Sequence, residues 1–437
     1  MREKVGMKVL SKKPVPGKAA GGCAFDGAKI TLVPITDAAH LFHGAIGCAV
    51  NGFEGRKSKS SGSDLYINAF STDLTNEEIV FGSLEKLERG IEYIFKNYKP
   101  KGIFVYNTCI PAMTGENIFD LCNRKSKELG IPVIPVDSPG FIGAKNLGTR
   151  IAAKVLFDYV IGKKEPDYTT PFDINLIGEF NVAGDLFNIL PLFKKCGIRV
   201  LSTITGDGRM DEIATAHRAK LNVVFCSQAM INLAEYMEER YGIPFVQVSF
   251  YGKTPIENSL RKIAKAFKSE KLSEKVEKVI EEENERIKPE FERLKTVLKG
   301  KRAVLYTGGH KSWSGIELLR DFGIEVVLSS GRKSTAEERE KIKKLIGKER
   351  LVGQIGARKL HELCFEFGAD VLIAGGRNMY PSLKSKIPYL HINQERFYAY
   401  AGYDGLIEFG RQLEITITSP VWRYLKEKPF YLNGGER

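Results

Sequence analysis

The sequence has 437 residues, a length that corresponds to about three domains of ordinary size. It carries 66 Lys and Arg against 53 Asp and Glu, a formal net charge of +13. The excess is interleaved with glutamate, as in KSEKLSEKVEKVIEEENERIKPEFERLK, and no finger, homeodomain or RNP signature accompanies it. Nucleic-acid binding is therefore disfavoured.

Two further features concern the cellular compartment. The opening MREKVGMKVL is charged, and no run of about 18 apolar residues occurs, which predicts a cytoplasmic protein without a membrane span. An odd number of cysteines, seven, in such a protein disfavours a disulfide framework. Reduced thiols or metal ligands are the favoured roles.

The predicted elements indicate an α/β fold. In chain order, TNEE at 75–78 predicts a capping box that opens the helix IVFGSLEKLERGIEYIFKNY. Short apolar runs, each followed by a helical pattern, are typical of buried parallel strands: GIFVYNTC, IPVIPVDSPG, DINLIGEF, RAVLYTGG, IEVVLSSG and ADVLIAGG. Two complete strand–helix–strand units begin at INLIGEF and AVLYTGG and are expected to open separate sheets.

Three domains follow from this pattern, with the boundaries 1–170, 171–300 and 301–437. The Lys/Glu-rich segment at about 254–298 predicts one or two exposed helices that link the second and third domains. We expect a break near Pro289, since proline disrupts a helix interior.

The cysteines fall into two groups. Three lie within or at the ends of helical patterns, where a packing role is expected: Cys122, Cys196 and Cys364. Four lie in predicted loops or at strand ends: Cys23 in GGCAFDG, Cys48 in HGAIGCAVNG, Cys109 in VYNTCIPA and Cys226 in VVFCSQAM. In doubly wound sheets, ligands bind beyond the carboxyl ends of strands, so the second group is the candidate functional one.

The spacing of Cys23, Cys48 and Cys109 excludes a zinc ribbon or a bacterial ferredoxin motif, because those motifs need closely grouped cysteines. Small buried hydrophobes and a site assembled from distant loops both stay open. In the latter case the three thiols would supply three ligands of an iron–sulfur cluster, and a fourth would come from another chain.

Two other kinds of site are weaker candidates. Cys48 could act as a nucleophile with His40 or His43 as its base, but the spacing of three between these histidines also suits one helix face in the core. The motif TGGHKSWSG lacks both phosphate-binding signatures, so nucleotide binding is not supported.

Several long motifs resemble the nitrogenase component 1 superfamily: GGCAFDGAKITLVPITDAAHLFHGAIGCAVNG, VYNTCIPAMTGENI, IPVDSPGF, YTGGHKSWS and AGGRNMYPSLKSKIPYLHINQERFYAYAGYDG. The resemblance extends from about residue 14 to 425. Within that family the chain is similar to the scaffold subunits on which the iron-molybdenum cofactor is matured. The resemblance implies three αβα domains with a cleft between them, and a heterotetramer with an N-type partner, NifN.

The resemblance also implies specific ligands. Cys23, Cys48 and Cys109 match thiolates of a [4Fe-4S] cluster shared with the partner, and Cys226 matches the anchor of a carbide-containing iron–sulfur precursor. This precursor would come from NifB, and the iron protein NifH would bring molybdenum, homocitrate and electrons. Cations in the matching pocket segments would balance negative charge: Arg56, Lys145, Arg150, Lys311 and Arg377.

The catalytic α subunit of nitrogenase shares the same motifs and is the main alternative. Where that subunit has a glutamine and a histidine pair, this chain has KNLGTRIA, with Lys145, Thr149 and Arg150. Ile392 or Asn393 falls at the place of its molybdenum-binding histidine. The missing imidazoles favour an assembly scaffold over a substrate-reducing enzyme, and no catalytic residue is assigned.

Two histidines depart from the family pattern. His391 stands where aspartate is common, and His310 stands where an apolar residue is usual. Either could bind the precursor provisionally, or both could be supporting residues, which is the favoured reading. A cluster-free α/β binding protein is the remaining alternative from a different class.

Overall fold

The computed structural model describes residues 22–53, 58–63, 65–225, 230–331, 334–392 and 397–426. These residues form three sheets flanked by helices, and the strand pairs with a defined register are parallel. The predicted α/β class is confirmed. Among the described residues, no helix is long and apolar enough to cross a membrane.

The first sheet has the strand order β2-β1-β3-β4. Its central pair is in register from Ala39 opposite Ile103 to His43 opposite Asn107, and both strands are buried throughout. The elements of this part of the chain are α1 (Ala24–Leu32), β1 (Ala39–His43), α2 (Ile46–Phe53), β2 (Phe70–Ser71), α3 (Asn76–Phe81), α4 (Leu84–Tyr98), β3 (Ile103–Asn107), α5 (Cys109–Thr114), α6 (Ile118–Leu129), β4 (Val133–Asp137) and α7 (Lys145–Tyr159).

The second sheet has the order β6-β5-β7-β8. Its elements are β5 (Asp173–Ile177), α8 (Asp185–Cys196), β6 (Arg199–Ile204), α9 (Met210–Thr215), β7 (Leu221–Val224), α10 (Ile231–Tyr241) and β8 (Phe245–Gln247). Two helices follow, α11 (Lys253–Ala266) and α12 (Glu270–Leu298).

The third sheet has the order β11-β10-β9-β12-β13. Its elements are β9 (Arg302–Tyr306), α13 (His310–Asp321), β10 (Glu325–Ser330), α14 (Ala336–Ile346), β11 (Leu351–Val352), α15 (Ala357–Glu366), β12 (Val371–Ala374), α16 (Met379–Lys384), β13 (Tyr389–His391), α17 (Gly402–Thr418) and α18 (Val421–Lys426).

Each sheet takes its strands from one of the three predicted domains, whose boundaries stay a prediction. By contact density the chain divides into two compact units. The first comprises Met1–Tyr168, Leu201–Arg218 and Asn232–Gly242, and the second comprises Thr169–Val200, Ala219–Ile231 and Ile243–Arg437.

The predicted break at Pro289 is wrong. The helical segment is interrupted earlier, between Ala266 and Ser269, and α12 runs unbroken through Pro289. One face of α12 is buried along its whole length, from Leu272 to Leu298. Burial of this apolar stripe outweighs the local cost of proline, about 3 kcal/mol.

The capping box is confirmed, but the helix that it opens is shorter than predicted. Thr75 caps α3 and Glu78 accepts a hydrogen bond from the Thr75 backbone N–H at 2.6 Å. Gly82, at φ 103°, then separates α3 from α4. Glycine adopts such a φ without steric cost, so the chain turns there.

Candidate metal centre and pocket

Cys48 and Cys109 follow adjacent strands of the first sheet. Cys109 begins α5 directly after β3, and Cys48 lies in α2 after β1. The two strand ends are tied together, because the Thr108 side chain donates to the His43 carbonyl at 2.7 Å. The prediction of a strand-end position is confirmed for Cys109, whereas Cys48 lies on a short helix rather than in a loop.

Cys23 lies against the segment that joins β4 to α7. It caps the N-terminus of α1 and forms a bridge with Ala144. The backbone N–H of Gly140 in this segment donates to the Cys109 Sγ at 3.2 Å. A Cβ placed on Gly140 would lie 3.1 Å from the Sγ atoms of both Cys109 and Cys23. The backbone therefore passes closely over two thiols that are 86 residues apart in sequence.

The third thiol is close enough to the other two to interact electrostatically. Burial raises the pKa of Cys48, and the neighbouring Cys109 and Cys23 raise it further, while Lys29 opposes the shift. All three thiols are half-buried and free. The structure thus brings together the three residues predicted as cluster ligands.

Three free, half-buried thiols are the kind of donor that an iron–sulfur cluster binds. Among the described residues, no group of three or more His, Cys, Asp or Glu side chains is placed to hold one metal ion. Free, half-buried thiols beside a glycine backbone with an N–H directed at sulfur have the chemistry that such a cluster needs.

Close packing of α1 against α7 places Cys23 beside Lys145. A Cβ on Gly27 would lie 1.8 Å from the Lys145 carbonyl oxygen, and one on Gly148 would lie 1.7 Å from the Ala24 carbonyl oxygen. Neither position can hold a larger residue without separating the helices. The Lys145 ammonium contacts the Asp26 carboxylate at 3.2 Å.

His40 and His43 lie on strand β1. The interpretation of their spacing as one face of a helix is therefore wrong. Neither has a hydrogen bond to Cys48. His40 bonds to the Tyr106 hydroxyl at 2.9 Å, and burial lowers its pKa to about 4. These contacts account for His40 as a neutral core residue.

His43 belongs to a buried network that connects the turns around the thiols. Its Nε2 lies 3.0 Å from Glu116 Oε2, and the Ser83 hydroxyl donates to the same carboxylate oxygen at 2.6 Å. The other ring nitrogen lies 3.2 Å from the Thr72 hydroxyl. The Ser83 hydroxyl and the Glu116 carboxylate both contact Nε2 of His43. In a catalytic triad the hydroxyl and the carboxylate contact opposite ring nitrogens, so this arrangement is not a triad. The network therefore has a structural role: it holds these chain segments together.

The first compact unit contains three of the predicted pocket residues. Lys145 is half-buried, Arg150 is exposed, and Thr149 is buried with its hydroxyl donating to the Lys145 carbonyl at 3.4 Å. Arg56 lies outside the described residues. The segment that follows it is held by Asp207, which accepts from the Ser61 hydroxyl at 2.7 Å.

The second compact unit contains Lys311, which is half-buried, with its ammonium 4.9 Å from the centroid of the Tyr251 ring. It lines a small cavity with Tyr251, Ser314, Gly315, Leu318, Ile392, Tyr400 and Phe409. The backbone of Arg377 lies in the 3-10 helix Gly376–Asn378, but its side chain is not described.

The remaining predictions concern His391, which is described, and three residues whose side chains are not described. His391 ends β13, and its ring stacks on Tyr389 at 6.4 Å. Cys226 and Asn393 lie outside the described residues, as does the side chain of His310.

The packing role predicted for the helical cysteines fits their surroundings. Each is at most 2 % exposed, and burial raises each pKa to about 12: Cys122, Cys196 and Cys364. Burial thus favours the protonated form of these three thiols, which agrees with a packing role.

Sequence reasoning missed Gly140, Glu116 and Lys29. Gly140 gives no signal beyond a glycine after proline in DSPGF, because its role arises from contacts distant in sequence. Lys29 had a usable signal, since it is the single cation of the helix AFDGAKITL that follows Cys23.

Comparison with known families shows to which class of protein this fold and its three neighbouring thiols belong. Residues 23–418 match the model of the family described as nitrogenase component 1 type oxidoreductase. The solved structure "Nitrogenase Cp1 at pH 6.5" superposes with a TM-score of 0.87 at 28 % identity, over 96 % of this chain and 93 % of that one. The chain belongs to the nitrogenase component 1 family.

Its curated relatives carry a more specific name. A protein of Nostoc sp. (strain PCC 7120 / SAG 25.82 / UTEX 2576), 51 % identical over 96 % of this chain and 88 % of its own, is named nitrogenase iron-molybdenum cofactor biosynthesis protein NifE. A protein of Klebsiella pneumoniae with the same name is 44 % identical over 94 % of this chain and 92 % of its own.

Proposed function

We propose that this chain is a scaffold subunit on which the nitrogenase iron-molybdenum cofactor is matured. The observation that carries the proposal is its similarity, over nearly its whole length, to relatives named for the biosynthesis of that cofactor. Fold similarity to nitrogenase alone would support a catalytic subunit equally well.

Cys23, Cys48 and Cys109 would hold a [4Fe-4S] cluster, which would supply one-electron transfer when bound. The close approach of Gly140 to two of the sulfurs supports this assignment, because a backbone N–H donor and a missing side chain accommodate a bulky inorganic ligand. Three thiols leave a four-thiolate ligand set incomplete. We assign the remaining ligand to the partner subunit.

Exposed apolar side chains support such a partner. The elements that carry or flank the three cysteines expose large hydrophobic residues: Ile46, Val50, Met113, Phe141 and Leu147, which are 38–77 % accessible. Large exposed apolar side chains of this kind are typical of a protein–protein interface. We propose a heterotetramer with the N-type subunit NifN, in the cytoplasm.

The second site would bind the cofactor precursor as its substrate. Cys226 would anchor this carbide-containing iron–sulfur cluster from NifB, with Thr149 and Asn393 as further contacts. Arg56, Lys145, Arg150, Lys311 and Arg377 would balance the charge of the cluster and of homocitrate, while NifH brings molybdenum and electrons. The half-buried ammonium groups of Lys145 and Lys311 support this role, since a buried anion needs nearby cations.

The catalytic alternative is less well supported. Thr149 offers no imidazole, and its hydroxyl bonds back to its own helix. No proton donor for substrate reduction is therefore available at that position.

The test is an anaerobic preparation of the chain with its N-type partner, with iron analysis and spectra for wild type and Cys226→Ala. Loss of one class of cluster and retention of the other supports two separate sites. Turnover of a reducible substrate by the purified complex would support the catalytic alternative instead.

A further inference from the structure

Lys29 is a buried lysine whose charge has an incomplete environment. It lies in the middle of α1 and is 1 % exposed. Its ammonium makes no hydrogen bond in the part of the chain that the structure describes. A buried cation without good partners is costly, so its presence in this helix needs a physical reason.

The nearest carboxylate is a poor partner. Asp26 Oδ1 lies 3.6 Å from the Lys29 ammonium, beyond hydrogen-bond distance, and the other carboxylate oxygen contacts Lys145 at 3.2 Å. Asp26 is thus divided between two ammonium groups and is itself partly exposed. Its attraction for Lys29 is correspondingly weakened.

Lys125 in α6 shows what a fully paired lysine looks like in the same compact unit. It is 5 % exposed, and its ammonium contacts Glu92, Glu88 and Glu128 at 2.5, 2.7 and 2.8 Å. Among the described residues, the Lys29 ammonium has Asp26 at 3.6 Å and the Phe25 ring, whose centroid is 5.9 Å away. Burial alone therefore does not explain why its ammonium has no described acceptor within hydrogen-bond distance.

The thiols are within electrostatic range of Lys29. It lies on the helix that Cys23 caps. Burial lowers the pKa of its ammonium, Asp26 opposes this shift, Lys145 adds to it, and Cys23 opposes it. Lys29 is also close enough to Cys48 to interact with it electrostatically. Thiolates that hold an iron–sulfur cluster would place negative charge on this side of α1.

We propose that Lys29 is the buried counter-charge of the iron–sulfur cluster held by Cys23, Cys48 and Cys109. This inference rests on the proposed function, which supplies the cluster. Each electron added to the cluster increases its negative charge, so a fixed cation nearby stabilises the reduced form more than the oxidised form. Lys29 thereby raises the reduction potential and strengthens retention of the cluster.

The first measurement is the midpoint potential of the cluster in the complex with the N-type partner, from a redox titration followed by electron paramagnetic resonance. We expect Lys29→Met to shift the potential to more negative values and to speed iron loss to a chelator. Lys125→Met is the matched control and is expected to leave the potential unchanged. Equal potentials for wild type and Lys29→Met would overturn the inference.

The second measurement uses the chelator-treated, iron-free complex. Without the cluster, the Lys29 ammonium has the Asp26 carboxylate at 3.6 Å and the Phe25 ring, whose centroid is 5.9 Å away. These weak contacts do not offset its burial, so Lys29→Met and Lys29→Gln should melt at or above the wild-type temperature. Lys125→Met should melt lower. A decrease for both Lys29 variants as large as that for Lys125→Met would overturn the inference by making Lys29 a structural residue. A wild-type complex that never binds iron would contradict the proposed function instead.

Discussion

Gly140 donates its backbone N–H to the Cys109 Sγ at 3.2 Å, and a Cβ on Gly140 would meet the same sulfur at 3.1 Å. The contact joins the segment after β4 to the first residue of α5. Because of this contact, the proposed cluster site depends on Gly140 having no side chain.

We therefore expect Gly140→Ala to lower the iron content of the complex several-fold, because the added methyl group occupies space beside two thiols. Iron per chain after anaerobic purification measures the effect. Gly353→Ala is the matched control, since a Cβ there meets nothing within 4 Å. Equal iron in both variants would show that the Gly140 contact does not constrain the site.

Thiol reactivity separates the two groups of cysteines. In the iron-free chain at pH 8, Cys23 and Cys109 should react readily with an alkylating reagent, and Cys48 more slowly because its pKa is raised. Cys122, Cys196 and Cys364 should stay unmodified, because burial protects them and raises each pKa to about 12. Mass spectrometry of the modified peptides measures this.

The same experiment on the iron-loaded complex tests ligation. Cys23, Cys48 and Cys109 should become protected together. Protection of only one or two of them would contradict a ligand set of three.

Glu116, which follows α5, is joined to the end of β1 and to the residue before α4 through its bonds to His43 and Ser83. We expect Glu116→Ala to reduce the free energy of unfolding by about 2 kcal/mol, since buried donors lose their acceptor. Iron retention should fall as well. Chemical denaturation measures the stability, and exposed Glu239→Ala serves as the control, with an expected change below about 0.5 kcal/mol. A Glu116 variant as stable as this control would contradict the role of the network.

His40 should make the folded chain less stable in acid. Burial lowers its pKa from 6.5 to about 4, so the unfolded chain binds a proton more readily than the folded one. The stabilisation is complete above about pH 6.5 and is lost as the pH falls through that value towards 4, about 3 kcal/mol in total. Denaturant titrations of the iron-free chain at several pH values measure it. His40→Gln should flatten the slope between pH 6.5 and 4, and an unchanged slope would contradict the assignment to His40.

The α/β class could be predicted because buried parallel strands appear as short apolar runs between helical patterns. The break at Pro289 could not, since local proline chemistry gives no information on the apolar stripe that α12 buries. Local sequence also misled the interpretation of His40 and His43: their spacing suited a helix, but they lie on a central buried strand.

In the candidate site too, the local sequence predicts some features, and others depend on tertiary packing. Cys109 could be placed at a strand end from its own neighbours, whereas its proximity to Cys23 depends on the packing of α1 against α7. Gly140 and Glu116 act through partners at least 31 residues away, so no local pattern marks them. Lys29 was visible as the single cation of α1, but its surroundings were not.

The most direct test of the account is iron per heterodimer, with spectra, for the co-purified complex and its Cys226→Ala variant after delivery from an active cluster donor. The account predicts abundant iron in the wild type, and in the variant loss of the precursor signal with retention of the [4Fe-4S] signal. Wild-type complex without iron under these conditions would contradict it, and the thiols at 23, 48 and 109 would then be ordinary packing residues.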